Sequence, residues 1–189
     1  MKPKLLSTLI LLSVFSSAMG QESGYLPGYI ITNSNDTIGG QVKYINTIPF
    51  RILPDIKFKG VYDYNSKVKL YPPTDIRGYK AGEKIFHSMK LPDGGEKMFM
   101  ELVIDGYLKL FMTSASAFGV PQYGPSVTTH YYFLRKGETK LFDADKGRFK
   151  QRVSEYLADD DWISTDIKNG NYKRKDIEQL VKDYNMAKK

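Results

Sequence analysis

The 189-residue sequence contains no cysteine. That excludes a disulfide framework, a thiolate metal site, a cysteine nucleophile and lipid attachment to an N-terminal cysteine, so stability must come from apolar burial. Histidine occurs only twice, at His87 and His130, in no metal-ligand spacing, and both read as strand histidines. There is no Walker loop, no G-x-G-x-x-G after a strand and no G-x-S-x-G elbow, which removes the main nucleotide-binding and serine-hydrolase classes. No cofactor is expected. Beyond residue 20 no apolar run approaches the roughly 20 residues of a membrane-spanning helix. Internal repeats and low-complexity tracts are missing as well.

What the chain does have begins at its first residue. Met1-Lys-Pro-Lys4 is a basic start, Leu5 to Ala18 is an apolar run broken only by small hydroxyl residues, and Ala18-Met19-Gly20 is an A-x-G cleavage pattern before Gln21. The expectation is a secretory signal peptide over residues 1–20, leaving an exported chain with no integral membrane segment after cleavage. An exported domain without disulfide cross-links fits a bacterial periplasm or outer cell surface better than an animal extracellular fluid. The formal charge is +7; loss of Lys2 and Lys4 takes 28 basic residues to 26 against 21 acidic, a net +5. Nucleic-acid readers concentrate such charge in one stripe, whereas these lysines are spread singly through candidate strands. No nucleic-acid partner is expected; a diffuse positive field can attract anionic lipid head groups or acidic glycans, but the lysines read first as keeping strand edges soluble.

From Tyr25 to Phe142 the chain is punctuated every eight to twelve residues by Gly, Pro, Asn or Asp, the signature of many short strands. Gly28–Thr32, Gly40–Ile45, Asp55–Lys59 and Lys67–Tyr71 are examples, the last two alternating Lys with apolar residues and so presenting one wet face. Met98–Ile104 and Tyr131–Leu134 are nearly continuous apolar runs, which suit central strands covered on both sides. Asp105-Gly106 predicts a two-residue hairpin turn with positive φ angles, and Lys136-Gly-Glu138 a second tight turn. Between these hairpins, Thr113 to Thr129 is rich in Ser, Ala, Gly and Pro and reads as a long loop.

After Phe142 the apolar period becomes helical. Phe149, Val153, Tyr156 and Leu157 form one stripe, and Ile177, Leu180, Val181 and Tyr184 another, with a short helical piece containing Trp162, Ile163 and Ile167 between them. One of Asp159, Asp160 and Asp161 should cap that piece, and Asn169-Gly-Asn171 should end it. The expected fold is α+β and mainly β: an antiparallel meander sheet, as a sandwich or a partly open barrel, over residues 21–142, with a C-terminal helical hairpin over 143–189 packed on it.

Chemistry-bearing constellations are few. Asp143-Ala-Asp145-Lys-Gly147 starts like a calcium loop, but Arg148 and Ser154 occupy the positions of the required glycine and bidentate glutamate; an N-terminal helix cap at Asp143 or Asp145 is the better account. Glu101 and Asp105 could form a carboxylate pair for glycoside hydrolysis, although the turn already needs Asp105. The 14 tyrosines and 10 phenylalanines suit strands and interfaces alike. Should they mark a binding surface, Phe118 and Tyr123, in the Thr113–Thr129 segment, are the candidate ligand-binding residues, since recognition concentrates in loops on a rigid scaffold.

The order of Gly28-Tyr-Ile-Ile-Thr32, Asn35-Asp-Thr-Ile-Gly-Gly40, Tyr71-Pro-Pro-Thr-Asp-Ile-Arg-Gly-Tyr79, Phe99-Met-Glu-Leu-Val-Ile-Asp-Gly106 and Leu180-Val-Lys-Asp-Tyr-Asn185 resembles a family of uncharacterised exported proteins of Bacteroidota. The resemblance implies a β-rich module closed by a helical segment, similar to modules that precede an outer-membrane barrel in some members; it carries no catalytic residue across. In that group O-glycosylation occurs at Asp-Ser/Thr before a small or aliphatic residue, a pattern that Asp36-Thr37-Ile38 fits, so Thr37 is a candidate modification site, against a plain turn over Asn33 to Asp36. The functional expectation is a non-enzymatic binding or assembly module of the envelope, with an envelope protein or glycan as partner. The alternatives are a binder of glycan or another small envelope ligand, with a pocket near the 113–129 segment, and a hydrolase with an unrecognised site.

Overall fold

The computed structural model describes residues 24–43, 55–60, 67–118 and 125–189, with backbone alone at 115–118 and 125–127. The expected signal peptide lies outside the described residues. Among the described residues the chain forms one ten-stranded sheet: β1 (Leu26–Thr32), β2 (Thr37–Lys43), β3 (Ile56–Gly60), β4 (Lys69–Tyr71), β5 (Ile76–Ala81), β6 (Lys84–Lys90), β7 (Lys97–Ile104), β8 (Leu108–Phe118), β9 (Pro125–Arg135) and β10 (Phe142–Asp143). Three helices follow: α1 (Phe149–Tyr156), α2 (Asp161–Asn169) and α3 (Ile177–Ala187). Every pairing is antiparallel, and the spatial order is β10-β9-β8-β7-β6-β5-β1-β2-β3-β4. All neighbours are consecutive in sequence except β1 and β5, which join two meanders at a single seam. Among the described residues no helix is long and apolar enough to cross a membrane.

The sheet cannot be flat. In a flat sheet β4 and β5 would lie four strand spacings apart, about 19 Å. Only Pro72–Asp75 connect them, and these are bent back by the Asp75 N–H donating to the Pro72 carbonyl at 3.1 Å. Even fully extended, this connection could reach only about 18 Å. The first half therefore curls into a partly open barrel around Ile30, Val42, Ile56, Phe58 and Tyr79, all at most 4 % exposed. The register explains how it bends so tightly: Gly60, Gly40, Gly28 and Ala81 lie opposite one another across β3, β2, β1 and β5. A Cβ at Gly28 would collide with the Lys80 carbonyl oxygen, and one at Gly40 would come within 2.6 Å of the Phe58 ring. The strands approach because no side chain intervenes.

The register places Leu108, Leu110, Phe133 and Phe142 on the same face of the sheet as Ile30 and Tyr79. Here the three helices cover the sheet with Val153, Leu157, Ile163, Ile167, Leu180, Val181 and Tyr184, all fully buried. The opposite face carries the third apolar cluster, Met98, Met100, Phe111 and Tyr132. The Asp93–Lys146 ion pair, at 3.1 Å, ties the β6–β7 turn to the segment after β10 and brackets that cluster. As expected, β7 and β9 are apolar because both of their faces are buried: Tyr132 faces the third cluster while its neighbour Phe133 faces the helices.

Two expectations about phase and length need correction. In Lys67–Tyr71 the apolar alternates were expected inside, but the register sets Lys69 opposite Phe58 and Tyr71 opposite Ile56. Leu70 is consequently 57 % exposed. The Tyr71 ring, edge-on to Phe58 at 6.1 Å, fixes the phase of this three-residue edge strand, and Lys69 at the rim stays exposed. The Thr113–Thr129 segment is not a long loop. Thr113 to Phe118 pairs residue by residue with His130 to Pro125: Thr, Val and Phe favour extended backbone, and two strands can satisfy each other's backbone groups without a large side chain.

The helix termini follow local rules. Asp160 caps α2, accepting from the Ile163 N–H at 3.1 Å, and Gly170 ends it in the left-handed region at φ 87°. Asp143 and Asp145 do not cap α1, whose N-cap is Arg148 with no side-chain cap. Asp143 Oδ1 instead accepts from the N–H groups of Asp145 and Lys146 at 2.9 and 3.0 Å, closing the turn that precedes the helix.

Candidate functional site: a lysine-rimmed groove beside the last helix

The hairpin predicted at Asp105-Gly106 forms, but with three residues between its strands and without a positive φ at either residue. Its geometry is set from outside. Asn185, on α3, accepts from the Leu108 N–H at 2.7 Å and donates to the Leu108 carbonyl at 2.9 Å. A Cβ on Gly106 would stand 2.6 Å from Asn185 Nδ2. Glycine is therefore required there to admit the asparagine, which in turn fixes the turn against the helix. The Lys136 N–H donates to the Tyr107 carbonyl at 2.7 Å and brings the β9–β10 turn alongside.

These three segments enclose an open groove of about 820 Å³. Five of its lining residues are lysines, Lys109, Lys136, Lys182, Lys188 and Lys189, against one acidic side chain, Asp105. Asp105 pairs with Lys109, which holds its carboxyl below the usual carboxylate range through their hydrogen bond. Lys188 is engaged by Asp159 at 2.9 Å and lies 5.1 Å over the Tyr184 ring. Apolar surface faces the same groove: Tyr107 is 36 % and Met186 60 % exposed.

Beneath the groove lies a polar network at the ends of β9, α1 and α3. The Arg135 guanidinium sits 4.7 Å over the Tyr156 ring, 3.2 Å from Asp159 and 3.8 Å from Glu138, and donates to the Tyr156 carbonyl. The Tyr184 hydroxyl is 2.7 Å from Asp159 Oδ2, and the Tyr156 hydroxyl 2.5 Å from Glu138. Burial, reinforced by these carboxylate acceptors, drives both phenols well above their ordinary range. They stay protonated and serve as donors that hold the carboxylates in place.

The residues singled out in the sequence are dispersed. Glu101 pairs with Lys84 at 2.8 Å, while Asp105 is held in the turn by Lys109, so the two carboxylates are separately neutralised. His87 lies against Phe111 with ring centroids 5.6 Å apart; His130 stands opposite Thr113. Asp145 accepts from the Tyr131 N–H at 2.7 Å and from Arg174, so the aspartates of the calcium-like stretch are spent on protein donors. Among the described residues no group of three or more His, Asp or Glu side chains could hold a metal. Thr37 is exposed at the start of β2, after a tight turn in which Asn35 adopts φ 72° and Thr32 Oγ1 accepts from the Asp36 N–H at 3.1 Å. Phe118 ends β8 opposite Pro125, its side chain outside the described residues, as is all of Tyr123.

Sequence reasoning missed the groove because its lysines come from three separated segments, each of which reads as ordinary solvated charge. The available signal was the clustering of Lys182, Lys188 and Lys189 on and beside the polar face of the last amphipathic helix. Comparison of the chain with known protein families, with curated proteins and with solved structures gives no match.

Proposed function

We propose that the chain is an exported, non-enzymatic binding or assembly module of a bacterial envelope, working by contact through the β8–β9 arm. The observation that carries this reading is the arm itself. β7 stays paired with β8 only as far as Met112, and β10 with β9 only as far as Tyr132. From Thr113 to Phe118 and from Pro125 to His130 the two strands pair with each other alone among the described residues. Six residues of strand span about 20 Å. On the β9 side the Thr129 carbonyl accepts from Arg174 at 2.6 Å, which leaves Thr113–Phe118 of β8 and Pro125–Thr128 of β9 as edges without a strand partner among the described residues; carrying Ser, Ala and Thr, they offer backbone donors and acceptors to an incoming strand, the basis of β-augmentation. The residue pattern of 1–20 supports export, and the resemblance to exported modules of Bacteroidota supports an envelope partner.

The test is in-cell crosslinking of the tagged, signal-bearing protein followed by mass spectrometry, alongside a variant whose arm is cut back so that a short glycine turn joins Ser114 to Thr129. A specific envelope protein captured by the full chain and lost from the shortened one supports the proposal. Recovery of the protein alone, or identical capture by both, overturns it.

A further inference from the structure

The groove beside α3 has no part in the arm's contacts, and its chemistry points elsewhere. Lys188 sits at the C-cap of α3 and Lys189 follows it, where cations also answer the helix dipole. Lys136 and Lys182 have no such reason to be there: one lies in the β9–β10 turn, the other before the last turn of the helix. Lys136, Lys182 and Lys189 have no carboxylate partner among the described residues. Exposed apolar side chains stand among these charges. Tyr107 and Met186 line the groove; Trp162, the only tryptophan in the sequence, is 63 % exposed outside that lining, next to Asp161 and two residues beyond Asp160, whose carboxylate is 3.9 Å from Lys188 Nζ. A small soluble anion would need the ammonium groups alone. A bilayer surface uses both: phosphate headgroups meet lysines, while Trp, Tyr and Met enter the headgroup layer, where amphipathic rings are favoured.

We infer that this end of the molecule is a peripheral membrane-binding surface for anionic phospholipid, with Lys136, Lys182 and Lys189 against the phosphates and Trp162, Tyr107 and Met186 in the interface. The experiment is co-sedimentation of the signal-free chain with vesicles of phosphatidylcholine alone or mixed with phosphatidylglycerol, with Trp162 fluorescence read in parallel. Binding to the mixed vesicles only, weakened by salt and accompanied by a blue shift of Trp162 emission, is expected. Each lysine near an anionic surface contributes about fivefold in affinity, so Lys136→Ala/Lys182→Ala should weaken binding about 25-fold. The matched variant Lys90→Ala/Lys97→Ala, which removes two exposed lysines from the far end of β6 and β7, should leave binding within about twofold. Equal loss in both variants would show that net charge rather than this surface binds. That result, equal binding to neutral vesicles, an unshifted Trp162, or binding of glycerol phosphate in solution without vesicle binding would each overturn the inference.

Discussion

Replacing Asn185 with alanine tests whether one side chain clamps the last helix to the sheet. The amide satisfies both backbone groups of Leu108, a residue with no solvent exposure. Leaving a buried donor or acceptor unpaired costs about 1–3 kcal/mol each; with the groove admitting water to one of them, the net loss should be about 2–3 kcal/mol. For a chain of this size that lowers Tm by about 4–12 °C. Gly106→Ala attacks the same clamp from the other side, its Cβ arriving 2.6 Å from Asn185 Nδ2, and should cost about 1–3 kcal/mol through overpacking. Once residue 185 is alanine that clash is gone, so the two losses should not add. Urea unfolding of the wild type, both single variants and the double variant should give a coupling of about 1 kcal/mol or more. Additivity within about 0.5 kcal/mol, or an Asn185→Ala variant as stable as the wild type, would refute the clamp.

Three further outcomes follow from local contacts. Burial, followed by the Lys109 charge and only partly offset by Asp105, lowers the His87 pKa; the folded state then binds the proton less readily than the unfolded chain, so stability is full above about pH 6.5 and falls as the pH drops toward the folded value. His87→Phe should flatten that slope in urea midpoints taken across the range, and an unchanged slope would refute the assignment. Burial pushes the Asp159 carboxyl up, but hydrogen bonds from Tyr184 and Lys188 and the charge of Arg135 outweigh it and hold it below its ordinary value; its contribution is present above about pH 4 and lost as the pH falls through the folded value. Asp159→Asn should therefore shallow the acid limb of the same curve, and a limb as steep as the wild type's would count against the network. Lys90 and Lys97 face each other across β6 and β7, a like-charge pair, so Lys97→Glu should raise stability by about 0.2–1 kcal/mol, and a loss would show that the pair is not felt.

The parts of the fold visible in the sequence are those dictated by local pattern: the helical stripe ending at Tyr184, the α2 cap at Asp160, the doubly apolar strands β7 and β9. What stayed hidden depends on distant segments. Leu70 faces solvent because a neighbouring strand and a four-residue connection set its register, which alternation within Lys67–Tyr71 cannot encode. Asp105-Gly106 looked like a turn needing left-handed backbone, whereas the glycine answers Asn185 some eighty residues away. Ser114–Ala117 read as loop because small polar residues suit loops, yet backbone pairing with Ser126–Thr129 needs nothing larger. The groove was illegible for the same reason: no stretch of sequence states that Lys136 and Lys182 will share a rim.

The single seam between β1 and β5 also sets an order of events. Each meander can zip through neighbouring hairpins, but joining them closes a loop of about fifty residues at an entropic cost of about 3.5 kcal/mol, before the seam returns any stabilisation. The strand made first is thus among the last to find its second partner, and non-local pairing of this kind governs folding speed. Kinetics should separate the two halves: Ile30→Val, at the seam opposite Tyr79, should express a larger share of its destabilisation as slower refolding than Val153→Ala beneath the helices, and equal shares would place the seam outside the rate-limiting step.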